Sequence, residues 1–312
     1  MSMKRFLTSL FLCGALCMPA FAAPLSSNAR TVVPSAIQQI ISVDYRALRD
    51  SQTARALRDR VMPENLKQFE TALKAVGIDP DKDVEQLTLI NYRSPKGSRS
   101  IGIAQGPLKK AEFLQKMRAK KVRPEKYQFA YLYPMGSGMQ LVFLDPSTIL
   151  FGENEAIKGA INVRDNGAES LQSNNTINGL ISDVDSAPMW SVLDQVGTQN
   201  MFRSALGQAA SLGDYDVVKK RLLASDYVMN FDDGVTFDLN VKTSDTMTAA
   251  TMATLLKAGV LYRKMNATPT EKLALENTTV DNSQDMLQMH FKSDDQRFEA
   301  LLKSDLFAAV SK

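Results

Sequence analysis

Cysteine is almost missing from this chain. It has two, Cys13 and Cys17, both within the first 22 residues, so the remainder excludes disulfide stapling, thiol catalysis and thiolate metal sites. Histidine is as scarce. The single His290 has no G-x-S-x-G elbow elsewhere in the chain to serve, which argues against Ser-His-Asp hydrolysis. No G-x-x-x-x-G-K-S/T loop and no G-x-G-x-x-G turn after a strand occurs, so nucleotide binding is not expected. An excess of one charge is lacking too. Setting Lys4 and Arg5 aside leaves 35 of the 37 basic residues against 34 acidic ones. The small basic clusters at Lys109-Lys110, residues 118–123 and Lys219-Lys220-Arg221 are scattered. A nucleic-acid binder concentrates them on one face, so no nucleic-acid partner is expected.

Long apolar runs are absent apart from one short stretch at the start. Lys4-Arg5 precede an apolar run over residues 6–18, then Pro19 and the triplet Ala20-Phe21-Ala22. Positive, apolar, then A-x-A is the order of a cleavable signal peptide. The run is shorter than the roughly 20 residues that span a bilayer, and Leu16 directly before Cys17 does not suit lipid attachment. We therefore expect residues 1–22 to be a signal peptide, and the rest to be a soluble periplasmic or secreted protein without a transmembrane segment.

The remaining chain alternates strand and helix signals. Residues 23–35 read as a flexible leader. Residues 37–43 read as a strand, and Asp44 caps a helix through Leu48, Ala54, Leu57 and Val61. Pro63 opens a second helix, which Gly77 stops. Residues 87–92 and 100–104 flank a Ser-Pro-Lys-Gly-Ser loop with hairpin chemistry. A helix from Pro107, strands over 128–133, 139–144 and 148–151, and a helix through Ala156 and Ile161 follow.

The second half repeats this plan. Ser186-Ala187 before residues 189–193 matches Ser35-Ala36, Leu193-Asp194 matches Val43-Asp44, and Ser204-Ala205-Leu206 matches Arg55-Ala56-Leu57. Asp232-Asp233-Gly234 joins residues 227–231 and 236–241 in the clearest hairpin. A helix through Ala250 and Leu261, strands over 273–276 and 286–291, and a helix with Phe298 complete the chain. These signals predict an α+β fold of two related halves, residues 36–165 and 186–312, joined by the Asn/Ser/Gly-rich segment 166–185. In each, antiparallel sheets carry helices packed on one face.

The phrases Gly77-Ile78-Asp79-Pro80-Asp81-Lys82-Asp83-Val84 and Ala187-Pro188-Met189-Trp190, behind a signal peptide, resemble exported bacterial proteins of unknown function. That resemblance implies an α+β fold and supplies no activity.

Candidate sites are few. Asp79, Asp81 and Asp83 imitate a calcium loop, but Val84 stands where its glycine belongs and Ile90 where its glutamate belongs, so a capped turn is the better reading. Met286 and His290 are weak candidates for holding copper, because thioethers with an imidazole suit Cu(I). On a strand, however, Met289 points away from both. Trp190, the sole tryptophan, is a candidate binding anchor, although Val192 and Leu193 beside it suit a core. Paired acids (Asp232-Asp233, Asp294-Asp295, Glu153 with Glu155) keep a carboxylate hydrolase open. The expectation is a non-enzymatic binding module of the cell envelope, without cofactor, whose partner is an unidentified protein or envelope component. An envelope-directed hydrolase and a methionine/histidine copper binder are the alternatives.

Overall fold

A computed structural model describes residues 24–61, 64–136, 138–206, 215–265 and 267–303; the expected signal peptide lies outside them. Seven strands come from the earlier part of the chain: β1 (Ile37–Asp44), β2 (Gln86–Ser94), β3 (Gly97–Gln105), β4 (Glu125–Tyr127), β5 (Ala130–Gly136), β6 (Met139–Asp145) and β7 (Thr148–Glu153). Five come later: β8 (Met189–Leu193), β9 (Leu222–Asn230), β10 (Val235–Thr243), β11 (Thr278–Ser283) and β12 (Met286–Ser293). All pair antiparallel in one 12-stranded sheet of order β11-β12-β10-β9-β8-β1-β2-β3-β7-β6-β5-β4. Outward from the centre, β1-β2-β3-β7-β6 on one side matches β8-β9-β10-β12-β11 on the other, and the two sides meet where Ile40 faces Val192 and Ile41 faces Ser191.

The α+β expectation therefore holds, with one sheet rather than several. Along one face, helices cover the whole sheet. On the β1–β7 side these are α2 (Tyr45–Asp50), α3 (Gln52–Val61), α4 (Glu64–Ala75) and α6 (Lys110–Ala119), which bury Tyr45, Leu57, Leu73 and Phe113 against Leu87, Leu141 and Phe151. On the β8–β12 side they are α9 (Gln195–Leu206), α10 (Tyr215–Val218) and α11 (Thr246–Met265), which bury Phe202, Tyr215 and Met252 against Leu239, Val241 and Leu287. The last helix, α13 (Asp295–Leu302), joins this same layer through Phe298, Leu301 and Leu302.

The other face differs from the expected single helical layer. Over β1, β2, β3, β6 and β7 it is as apolar as the first, with Ile40, Ile90, Ile101 and Leu150 fully buried. It is covered by α1 (Ser27–Val32), α7 (Asn154–Asp165) and α8 (Asn175–Val184). Strands apolar on both faces need a layer on each. Two of these helices correct the sequence reading. The segment 23–35, expected to be a flexible leader, holds α1, whose N-cap Ser26 accepts from the Ala29 amide and whose Leu25, Ala29, Val32 and Val33 are buried. The expected join, 166–185, holds α8, capped by Asn174 and burying Ile177, Ile181 and Val184. Each such aliphatic side chain contributes about 1.5–3 kcal/mol.

Local chemistry explains most element ends. Asp44 caps α2 by accepting from the Arg46 and Ala47 amides. The hairpin turn between β9 and β10 has Asp233 at φ 56° and Gly234 at φ 99°, and a Cβ on Gly234 would lie 2.3 Å from the Ser293 carbonyl oxygen. Residues 273–276, read as a strand, belong instead to α12 (Pro269–Glu276), which Thr268 and Glu271 start with a reciprocal capping box. The strand beside it is β11. The aspartates of the imitation calcium loop all have other roles. Asp79 caps α5 (Pro80–Asp83), Asp81 pairs with Arg58 at 2.9 Å, and Asp83 pairs with Lys109 at 2.9 Å.

Candidate binding face

Strict alternation builds the β8–β12 side. In β10, Phe237, Leu239 and Val241 face the helices, which turns Thr236, Asp238, Asn240 and Lys242 to the other side. In β12, Leu287, Met289 and Phe291 do the same, leaving Met286, Gln288, His290 and Lys292 outward. Among the described residues no helix covers this outward face beyond the contacts of α8 with β9. The result is a bare, polar sheet surface spanning β9, β10, β12 and β11.

Register places its side chains in cross-strand rows. One row runs Trp190, Val228, Asp238, His290, Thr279; the next runs Val192, Asp226, Asn240, Gln288, Asp281. Exposure increases outward: Asp226 is 4% exposed, Asp238 and Asn240 are half-buried, and Gln288 and His290 are exposed. The inner pair is held by Asn240 Nδ2 donating to Asp226 Oδ1 at 2.9 Å. Burial pushes the Asp226 carboxyl above the usual aspartate range against the lowering effect of that hydrogen bond, and Asp183 of α8 adds to the rise. Farther out, His290 Nδ1 and Asp238 Oδ1 are 2.6 Å apart, so the carboxylate fixes the ring and leaves Nε2 as its outward polar atom.

The residues singled out from sequence fall unevenly on this surface. His290 and Met286 share it, four positions apart on β12. At strand rise that is about 13 Å, so they do not share one ion's coordination sphere. Met289 packs into the core on the opposite face, as its parity requires. Among the described residues no group of three or more histidine, cysteine, aspartate or glutamate side chains is placed to hold a metal ion.

Trp190 lies just inside the border of the bare face, 1% exposed, in the apolar cluster that α8 completes. A central strand beneath a helix has no surface to offer a ligand, so Trp190 is a core residue and not the anchor the sequence suggested. Its indole nitrogen has no hydrogen-bond partner among the described residues. Of the paired acids, Glu153 bonds Arg99 at 3.2 Å, Asp294 caps α13, and Asp232-Asp233 form the hairpin turn.

Sequence reasoning missed both Asp226–Asn240 and Asp238–His290, because each pair joins strands whose register is not written in either alone. It also missed a buried charged group on the helical face. There the Tyr45 hydroxyl donates to Glu70, and the Arg58 guanidinium lies 5.7 Å from the Tyr45 ring centroid. Burial first, then the Glu70 carboxylate, holds the Tyr45 hydroxyl well above its usual pKa. This group ties α2, α3 and α4 together and opens on no surface row.

No helix among the described residues is long and apolar enough to cross a membrane. No family model matches the chain, and no curated protein matches it, so the resemblance drawn from residues 77–84 and 187–190 gains no family. Among solved structures, three crystal forms of TP0453 are similar over most of the chain. Form I aligns over 92% of this chain and 98% of that one at 10% identity, with a TM-score of 0.47. Form IV gives 91% and 97% at 9% identity and 0.46, and form III 90% and 97% at 8% and 0.44. Likeness at that level carries no inference about chemistry.

Proposed function

We propose that this chain is an exported, non-enzymatic binding module of the cell envelope, and that the bare face over β9–β12 is its contact surface. The observation that carries this reading is the change in the second face, which is buried under helices over β1–β7 and bare and polar over β9–β12. Backbone pairing fixes the strands and the spacing of these rows, so little backbone entropy is lost when they are engaged. Asp238, Asp281, Lys242 and Lys292 mix both signs of charge, which suits a polar protein or envelope component. The basic, apolar, A-x-A order of residues 1–22 supports export. The matching order of strand addition on the two sides supports a duplicated α+β unit.

Lysine-reactive labelling tests the surface. In envelope extract, Lys242 and Lys292 are expected to be protected relative to the purified chain, while exposed Lys126, on the far edge strand β4, is labelled equally in both. Equal labelling of all three would remove the proposal.

One observation favours a second reading, an envelope-directed hydrolase. Asp226 and Asp238 are diagonal neighbours on β9 and β10, about 7–8 Å apart. Asp226, whose carboxyl burial raises above the usual aspartate range, lies near a second carboxylate, the kind of pair that serves as acid and base in glycoside hydrolysis. Release of sugar from purified envelope glycan, abolished by both Asp226→Asn and Asp238→Asn, would establish it; no release by the parent chain would end it.

A further inference from the structure

Helix α11 is apolar on more sides than the sheet can bury. Ala249, Met252 and Ala253 face the core. A second stripe, Met247, Thr251, Thr254, Ala258, Leu261 and Met265, recurs at intervals of four and three, the spacing of a helix–helix seam, and every member is exposed. Met247 is 75% exposed, Leu261 64% and Met265 78%. A helix apolar on both faces is the pattern of one that is covered on both.

The threonines fit that pattern. Thr251 Oγ1 donates to the Met247 carbonyl at 2.8 Å and Thr254 Oγ1 to the Ala250 carbonyl at 2.9 Å. Their hydroxyls are thus satisfied within the helix and their methyls remain for the seam. The seam runs about 27 Å at the helical rise. Small side chains in its middle allow close approach, with larger ones at both ends to anchor a partner.

Charge selects the partner. Every charged residue of α11 is basic: Lys257, Arg263 and Lys264. With Thr251, Ala258 and Met265 as a positions and Met247, Thr254 and Leu261 as d, Lys257 and Lys264 both fall at g, flanking the seam. Lys257 reaches Asp281 at 3.6 Å, an exposed pair too weak to withhold it. A second copy of α11 laid antiparallel would set lysine against lysine.

The geometry points to α11 as the docking site for an amphipathic helix of a partner protein, apolar at a and d and acidic at the positions that meet Lys257 and Lys264. This seam lies on the helical side of the sheet and meets the bare face only at the edge strand β11, where Lys257 reaches Asp281.

The probe is a labelled 21-residue helical peptide with leucine and alanine at a and d and glutamate at e and g, titrated into the purified chain. A matched peptide with lysine at e and g is the comparison. The acidic peptide is expected to bind at least tenfold tighter than the basic one and to weaken as salt rises. Leu261→Glu combined with Met265→Glu is expected to weaken it by about tenfold or more, while Lys292→Ala on the bare face leaves it unchanged. Both substituted side chains are exposed, so an unaltered thermal melt checks that the variant folds. Equal binding of both peptides, or binding indifferent to the double substitution, would overturn the assignment. So would a dimer in light scattering that Leu261→Glu dissociates, which would give the seam to a second copy. Binding that appears only after residues 304–312 are removed would give it to the chain's own end, and likewise overturn it.

Discussion

A single cross-strand row tells the two sides of the sheet apart. From β3 to β11 it reads Ile101, Ile90, Ile40, Val192, Asp226, Asn240, Gln288, Asp281. The first four are completely buried beneath helices. The last four, on strands of the same pairing and the same alternation, are polar and emerge stepwise into solvent. The difference arises in the connections. After β7 the chain forms α7 on this face; after β12 it forms α13 on the other, where Phe298 meets Phe291 with ring centroids 6.2 Å apart. The fold thus uses one strand order with two placements of the closing helix, and what that helix leaves open decides where binding chemistry can sit.

Exchanging residues within that row should break the comparison most severely. Ile90→Asn removes buried apolar contact and strands an amide beneath the covering helices, for an expected loss of about 4 kcal/mol or more. The reverse change, Gln288→Ile, places an apolar side chain on the open face and should alter stability by no more than about 0.5 kcal/mol. Urea midpoints of the two variants decide the matter. A large loss for Gln288→Ile would mean that the open face is covered after all.

Much of this was legible in the sequence, for identifiable reasons. Residues 236–241 and 286–291 read as strands, and strand parity set Met289 on the opposite side from Met286 and His290. Asp44 and the Asp-Asp-Gly turn announced a cap and a hairpin through their own local hydrogen bonding. What stayed hidden was non-local. Gln39 faces Leu193 across more than 150 residues, and no local signal encodes that meeting of strands. Buried Ser42, Thr88 and Gln86 read as misplaced polar residues until register lets Ser42 bond Thr88 and Gln86, each at 3.0 Å. Leu273-Ala274-Leu275 is too short to show a period, and the Thr268–Glu271 capping box that precedes it is the better guide. The Asp226–Asn240 and Asp238–His290 pairs became visible only once β9, β10 and β12 were set side by side.

Trp190 sharpens the border between the two sides. Its ring fills the covered core, yet its N–H has no partner among the described residues. Trp190→Phe leaves a cavity but also removes a buried donor whose lack of a partner costs about 1–3 kcal/mol. The two effects oppose each other, so a net loss below about 1.5 kcal/mol is expected in urea unfolding. A loss near the roughly 3–5 kcal/mol of a full truncation would show that the indole nitrogen is bonded in solution, and so that water or a ligand reaches under α8.

The smallest effect is expected one row away, at Asp226, where cover from the apolar side reaches its neighbour across the border. Because burial raises this carboxyl above its unfolded value, the native state holds the proton more tightly than the unfolded chain does. Stability from this group is therefore present below the ordinary aspartate range and is lost as pH rises toward the raised native value. The amide introduced by Asp226→Asn carries no such charge and can still accept from Asn240, so the variant should melt higher than the parent at pH 7. At pH 3, where the aspartate is protonated in both states, the two should melt together. A gain of equal size at both pH values would point to packing rather than charge. No gain at pH 7 would mean that solvent already reaches Asp226, and that α8 does not shield β9 from it.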